Sequence, residues 1–266
     1  MTDTIKRERI WELDFLRGFA IIMMIFDHFM WDLTYLPGYF SNFYDLDLPL
    51  FNWLNETAIL YWNSLLRFVG RQFFVLSFLM VSGISFTFSK NNFKRGFKML
   101  IVALIITLAT YLMEISLGFE VLIVFGVIHM FAINTLLTAS IRHFIKNEIV
   151  ILFLGMLLLT ISIIFGFFTP KYVSLSWENM PGIIIGLKAF GSDYFGILPY
   201  LGIILIGTVI GQLFYRNKTS LIPSVSLSKK NVVLFTGRYS LWVYVIHQPI
   251  VLMIVMALGY LFGYRV

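Results

Sequence analysis

The sequence predicts an all-α fold: a polytopic bundle of about seven transmembrane helices, with short interfacial helices in the outer loops. Three observations predict it. The 266-residue chain is 59% hydrophobic and only 13% charged, with a mean hydropathy of +0.86, whereas a soluble domain averages about 45–50% apolar and about 25% charged. Its apolar residues gather into runs near the ~20 residues that a helix needs to cross the hydrocarbon layer. Its basic residues collect in the short segments between those runs, as in cytoplasmic loops. No water-facing globule of this length buries so much apolar surface, so lipid must cover part of it.

Seven segments qualify as spans: 13–31, 71–89, 97–114, 121–140, 149–168, 195–214 and 240–262. A basic start and an apolar run also describe a secretory signal. Here Asp14 and Arg17 interrupt the run and no small-residue cleavage site follows it, so the segment is expected to be a retained first helix. Residues 1–266 carry no internal repeat or low-complexity tract and are expected to form one membrane domain.

Orientation follows from the loop charges. Lys6, Arg7, Arg9, Lys90, Lys94, Arg95, Lys98, Arg142, Lys146, Arg216, Lys218, Lys229, Lys230 and Arg238 fall on one side if seven helices are counted. The other side holds Arg67, Arg71, Lys171, Lys188 and Arg265, with the acids Asp32, Asp45, Asp47, Glu56, Glu178 and Asp193. The richer side is expected to be cytoplasmic, so the N-terminus is inside and the C-terminus outside. The net charge of +6 then reflects topology and does not point to nucleic acid.

Two outer loops are long, at roughly 32–70 and 169–194. The first is rich in aromatics, which anchor at the bilayer interface, and its stretch 54–68 reads as an amphipathic helix lying on the membrane. Loops of this length also serve as lids.

The absence of cysteine excludes disulfides, thiolate metal sites and a cysteine nucleophile. No GxSxG, Walker A, GxGxxG or HExxH pattern occurs, and the histidines lack metal-ligand spacing, so no metal is expected.

What remains is a small set of ionisable residues at membrane depth, where each costs roughly 2.5–3.5 kcal/mol on insertion scales. The first helix has four, Asp14, Arg17, Asp27 and His28. Eleven helical steps separate Arg17 from His28, about 20° off a whole number of turns, so both lie on one face about 16 Å apart. Asp14 is three residues before Arg17 and is expected to pair with it. Gly18 would let another helix or a ligand come close. His129 and His247 lie inside two further spans. In the segment SFLMVSGISFTFS the small residues, Gly83 among them, are expected to serve close helix packing.

Several stretches, RERIWELDFLRGFAIIMMIFDH, FFVLSFLMVSGISFTFS, FGVIHMFAIN, GSDYFGILPYLGIILIGTVIG and GRYSLWVYVIHQPI, run in order through nearly the whole chain. Together they resemble the membrane domain of heparan-alpha-glucosaminide N-acetyltransferase and its bacterial relatives. The opening also resembles acyltransferase-3-type membrane proteins, whose first helix carries an Arg, ten residues and a His; Arg17 and His28 have that spacing. The resemblance implies O- or N-transfer of an acyl group, typically acetyl, from cytoplasmic acetyl-CoA to an amine or hydroxyl of a sugar or glycoconjugate across the membrane. The membrane would be a bacterial plasma membrane.

The family's proposed active histidine lies in the loop after the first helix. The loop from Asp32 to Arg71 has none here, and the nearest is His28. On this reading His28 is the general base, a role suited to a side chain that titrates near neutrality. Asp14, Arg17 and Arg238, with Lys94, Arg95 and Lys98, are available for CoA phosphates. His129 and His247 would hold the thioester or protonate the leaving thiolate, and Asp27 would support the outer end. The small-residue faces permit a homodimer. The alternative is a transporter or flippase for a small solute or lipid-linked sugar, in which intramembrane His and Asp relay protons.

Overall fold

The computed structural model describes residues 9–118, 121–191, 193–223, 228 and 231–266. Lys6, Arg7, Lys229 and Lys230 therefore lie outside the described residues. About 72% of the chain is helical. The helices are α1 (Trp11–Thr34), α2 (Leu36–Tyr39), α3 (Phe43–Leu46), α4 (Pro49–Trp62), α5 (Leu65–Phe86), α6 (Asn92–Leu117), α7 (Val127–Phe144), α8 (Glu148–Ile164), α9 (Met180–Ile185), α10 (Tyr200–Phe214), α11 (Val232–Arg238) and α12 (Ser240–Leu261). Two two-residue strands, β1 (Lys171–Tyr172) and β2 (Lys188–Ala189), pair in parallel inside the second long loop. Among the described residues, these strands and an isolated antiparallel bridge between Gly126 and Tyr194 depart from the all-α expectation.

Helix α5, residues Asn92–Ser116 of α6, and α12 are long and apolar enough to cross a membrane, and α8 and α10 are shorter apolar helices. Helices α1 and α7 coincide with the other two expected segments. Both carry ionisable side chains that lower their hydropathy, such as Asp14 and Arg17 in α1 and His129 and Arg142 in α7.

The chain packs as two compact units, residues 1–78 with 219–266, and residues 79–218. In the first unit α1 packs against α4, α11 and α12. Side-chain contacts pair residue 28 with 247 and 32 with 248, so α1 and α12 run in the same direction. The first long loop is folded into helices. Leu36, Phe40, Phe43 and Phe51 bury against Val255 and Tyr264, with the Phe40 and Tyr264 rings stacked at 5.0 Å. Asn55 of α4 donates to the carbonyls of Leu33 and Thr34 at 2.8 and 3.1 Å, satisfying acceptors that the end of α1 leaves open.

The expected interfacial helix over 54–68 is instead α4, which starts at Pro49. Proline suits the first helical position because its missing N–H has no intrahelical partner there. The chain breaks again at Ser64, whose hydroxyl accepts from the Arg67 amide at 3.1 Å. This cap starts α5 at Leu65, six residues before the expected 71.

In the second unit α6 packs on α7, and α10 on α7 and α8. The Gly83 expectation holds: a Cβ at Gly83 would run into the Ile204 carbonyl and the Gly207 backbone of α10. At the end holding the α7–α8 turn, Arg142 binds both Glu148 carboxylate oxygens at 2.6 and 2.8 Å and the Thr208 hydroxyl at 3.0 and 2.6 Å. One guanidinium thus ties α7, α8 and α10 together.

Candidate active site

The polar stripe of α1 has two stations. At the first, the buried Asp14 carboxylate faces three guanidinium groups: Arg17 at 3.3 Å, Arg9 at 3.3 Å and Arg238 at 3.7 Å. Arg17 also donates to the Gly237 carbonyl at 3.4 Å. Three guanidinium groups thus gather on one carboxylate. The station exists because α11 lies directly on α1. A Cβ on Gly18 would collide with the Val233 carbonyl, and one on Gly237 with the Asp14 carbonyl. The close partner that Gly18 admits is therefore a helix, and that contact brings Arg238, at the end of α11, to Asp14. The neighbouring Glu12 carboxylate is taken up by Ser220 Oγ at 2.8 Å and the Leu221 amide at 2.7 Å.

At the second station His28 Nδ1 lies 2.6 Å from His247 Nε2, with the rings stacked at 4.9 Å. His247 Nδ1 is in turn hydrogen-bonded to the Tyr244 carbonyl. A carbonyl only accepts, so His247 carries its proton on Nδ1 and offers a lone pair on Nε2. His28 must then donate through Nδ1–H. That chain of donors fixes the tautomer of His28 and leaves its Nε2 as the lone pair of a base.

Around this pair the acids are occupied. Asp27 receives a bidentate bond from Arg67 at 2.9 and 3.0 Å and a third from the Tyr61 hydroxyl at 3.0 Å. The Arg67 guanidinium lies 3.5 Å over the Trp62 ring, a cation–π contact that holds it in place. Burial and the Asp27 carboxylate push the Tyr61 hydroxyl up to about 12, so it stays protonated and donates. Asp32, fully buried, accepts from Gln248 at 3.0 and 3.2 Å and from Tyr39 at 3.3 Å.

The structure thus brings together Asp14, Arg17 and Arg238 at one station and His28 and His247 at the other. His129 belongs to the second unit. Its Nδ1 accepts from the Gly126 amide at 3.3 Å, and its Nε2 meets the Thr107 hydroxyl at 3.0 Å. That hydroxyl donates to the Ile123 carbonyl at 2.8 Å, so both ring nitrogens of His129 are engaged. The sequence reading missed Tyr61 and Arg67 as partners of Asp27, and Gln248 and Tyr39 as partners of Asp32. Gln248 had a signal, because an amide beside His247 in an apolar helix is itself expensive. Arg67 had none, because its partner is 40 residues away.

No curated protein and no solved structure matches the chain. A family model described as heparan-alpha-glucosaminide N-acetyltransferase, catalytic, matches residues 9–249, which include both stations of α1. The chain belongs to the heparan-alpha-glucosaminide N-acetyltransferase catalytic family.

Proposed function

We propose that the chain is a membrane acetyltransferase that spans the bilayer seven times, takes an acetyl (acyl) group from cytoplasmic acyl-CoA and delivers it to an amine or hydroxyl of a sugar or glycoconjugate at the outer face. Family membership supports the transferase class. The observation that carries the mechanism is the His28–His247 hydrogen bond, which leaves His28 Nε2 free for proton transfer on the same face of α1 as the arginine station.

The arginine cluster around Asp14 fits a polyanionic nucleotide. The rise from Arg17 to His28, about 16 Å along the helix, is comparable to an extended phosphopantetheine arm. Bound acyl-CoA supplies the thioester carbonyl as electrophile. His28 Nε2 takes the proton from the acceptor amine or hydroxyl as its nitrogen or oxygen bonds to that carbonyl carbon. His247 Nε2 accepts from His28 Nδ1–H throughout and stabilises the imidazolium as it forms. His28 then returns its proton to the sulfur as the carbon–sulfur bond breaks, and the imidazole is neutral again. His247 is on this account a positioning residue.

The test is acetyl transfer from acetyl-CoA to amino sugars by the purified protein, with CoA binding followed by thermal shift. His28→Ala should lose transfer by about 10²–10⁴-fold while CoA still stabilises the variant. Full transfer by the variant would remove His28 from the chemistry. No CoA response in the wild type, together with proton-coupled solute uptake, would make the protein a transporter.

A further inference from the structure

Asp32 lies one turn beyond His28 on α1, and Gln248 directly follows His247 on α12. The pair they form therefore adjoins the histidine pair on both helices. Gln248 Nε2 donates to both carboxylate oxygens at 3.0 and 3.2 Å, and the Tyr39 hydroxyl of α2 adds a third bond at 3.3 Å. The carboxylate is fully buried, and what holds it is an amide and a phenol, neither of them a cation.

That is a costly way to fasten two helices. Apolar side chains join α1 to α12 without taking an acid out of water. Val255, two turns further along α12, does so in one core with Met30 and Leu33. What the hydrogen bonds add is direction, because a satisfied polar network fixes one arrangement where apolar packing tolerates several.

The turn of α12 that carries His247 needs such a restraint. Pro249 sits inside the helix. It has no N–H for the Val245 carbonyl and its ring crowds that carbonyl, so this turn lacks a hydrogen bond and yields more easily. His247 bonds through Nδ1 to the Tyr244 carbonyl of the same turn, so any shift there moves the imidazole. Gln248 stands between the histidine and the proline, and it is the residue tied to Asp32. On the other side, Tyr39 packs on the aromatic core of the first loop. Asp32 thus braces a pliant turn against a rigid core.

We infer that Asp32 is a positioning residue of the transfer reaction: acting through Gln248, it holds His247 Nε2 on His28 Nδ1 and keeps His28 Nε2 aimed at the acceptor. On this account neither Asp32 nor Gln248 touches substrate or takes a proton. The inference rests on the acetyl-transfer reading and names what keeps its histidine pair in register.

Steady-state transfer from acetyl-CoA to amino sugars by the purified full-length protein, expressed per folded molecule, tests it. Asp32→Ala should lower kcat by about 10²-fold, the loss that goes with a misplacement of about 1 Å. KM for acetyl-CoA and the thermal shift caused by CoA should not move, because the arginine station lies at the far end of α1. Asp32→Asn should restore most of the rate, since its amide oxygen still accepts from Gln248. Gln248→Met, close in size and unable to donate, should repeat the Asp32→Ala result, and it serves if that variant folds poorly. Val255→Ala separates positioning from packing: it loosens the same helix pair and should lower the unfolding temperature while kcat holds. Wild-type kcat in Asp32→Ala and Gln248→Met overturns the positioning role and leaves the acetyl-transfer reading standing. An equal loss in Asp32→Asn or in Val255→Ala also overturns it, by assigning the effect to charge or to packing. A wild type that transfers nothing overturns the acetyl-transfer reading and this inference with it.

Discussion

His28 and His129 both sit inside apolar helices, and hydropathy alone does not rank them. Their hydrogen bonds do. In the second unit His129 receives the Gly126 amide on one nitrogen and meets the Thr107 hydroxyl with the other, so a proton gained or lost there would break a bond the fold uses. In the first unit His28 is held through one nitrogen by His247, which leaves the other for the proposed proton transfer. A buried histidine becomes a candidate base when its partners saturate one side only. The number of histidines at membrane depth does not decide the matter.

The contrast is sharpest when the same substitution is made in both places. His28→Ala should remove acetyl transfer by the 10²–10⁴-fold or so expected of a lost general base, with little change in unfolding temperature. His129→Ala should do the reverse. It strands the Gly126 amide and takes away the donor to the Thr107 hydroxyl, which costs about 1–3 kcal/mol of stability, while turnover per folded molecule stays at the wild-type level. Paired thermal-unfolding and turnover measurements on the two variants decide it. Loss of turnover in His129→Ala without loss of stability would erase the distinction between the two histidines.

Much of the first unit was legible because it follows from local rules. Arg17 and His28 share a face by helical arithmetic, Asp14 is within reach of Arg17, and the small residue at Gly18 marks a close approach. What approaches was not legible. Arg238 and His247 reach α1 from some 220 residues away, and no periodicity encodes that pairing. Hydropathy found the long helices and placed the starts of α8 and α12 within a residue, but it misplaced those set by single residues: Pro49 for α4, the Ser64 cap for α5, and Gly126 for α7, which starts at 127 and not the expected 121. The aromatic first loop read as an anchor or lid because composition cannot distinguish rings facing lipid from rings packed on one another. Phe40, Phe43 and Phe51 are buried against Tyr264. The two-residue strands are too short to leave any alternation.

The arginine station depends on backbone contact between α1 and α11, and that dependence is separately breakable. Gly237→Ala puts a methyl group into the Asp14 carbonyl. The helices must move apart, at a cost of about 1–3 kcal/mol for overpacking, and Arg238 withdraws from Asp14 as they do. Gly38→Ala is the control, because a Cβ there meets nothing within 4 Å and the substitution should leave the unfolding temperature unchanged or slightly raised. Chemical unfolding of the two variants reads the difference, and weaker CoA binding in Gly237→Ala alone would connect the station to the donor. Equal stability of both variants would mean that α1 and α11 are not in backbone contact in the membrane.

The smallest effect concerns the boundary of the catalytic group proposed for the first unit. Asp27 is adjacent to His28, yet adjacent residues on a helix point about 100° apart, and its carboxylate is already spent on Arg67 and Tyr61. Tyr61→Phe removes one of three donors to a carboxylate that keeps its bidentate arginine, so the expected cost is about 1 kcal/mol of stability. Transfer and its pH profile should not move, because the proton chain through His28 and His247 does not pass through Asp27. A drop in turnover comparable to that of His28→Ala, at unchanged stability, would enlist Asp27 and its two partners in the reaction and make His247 one of two groups that steer the base.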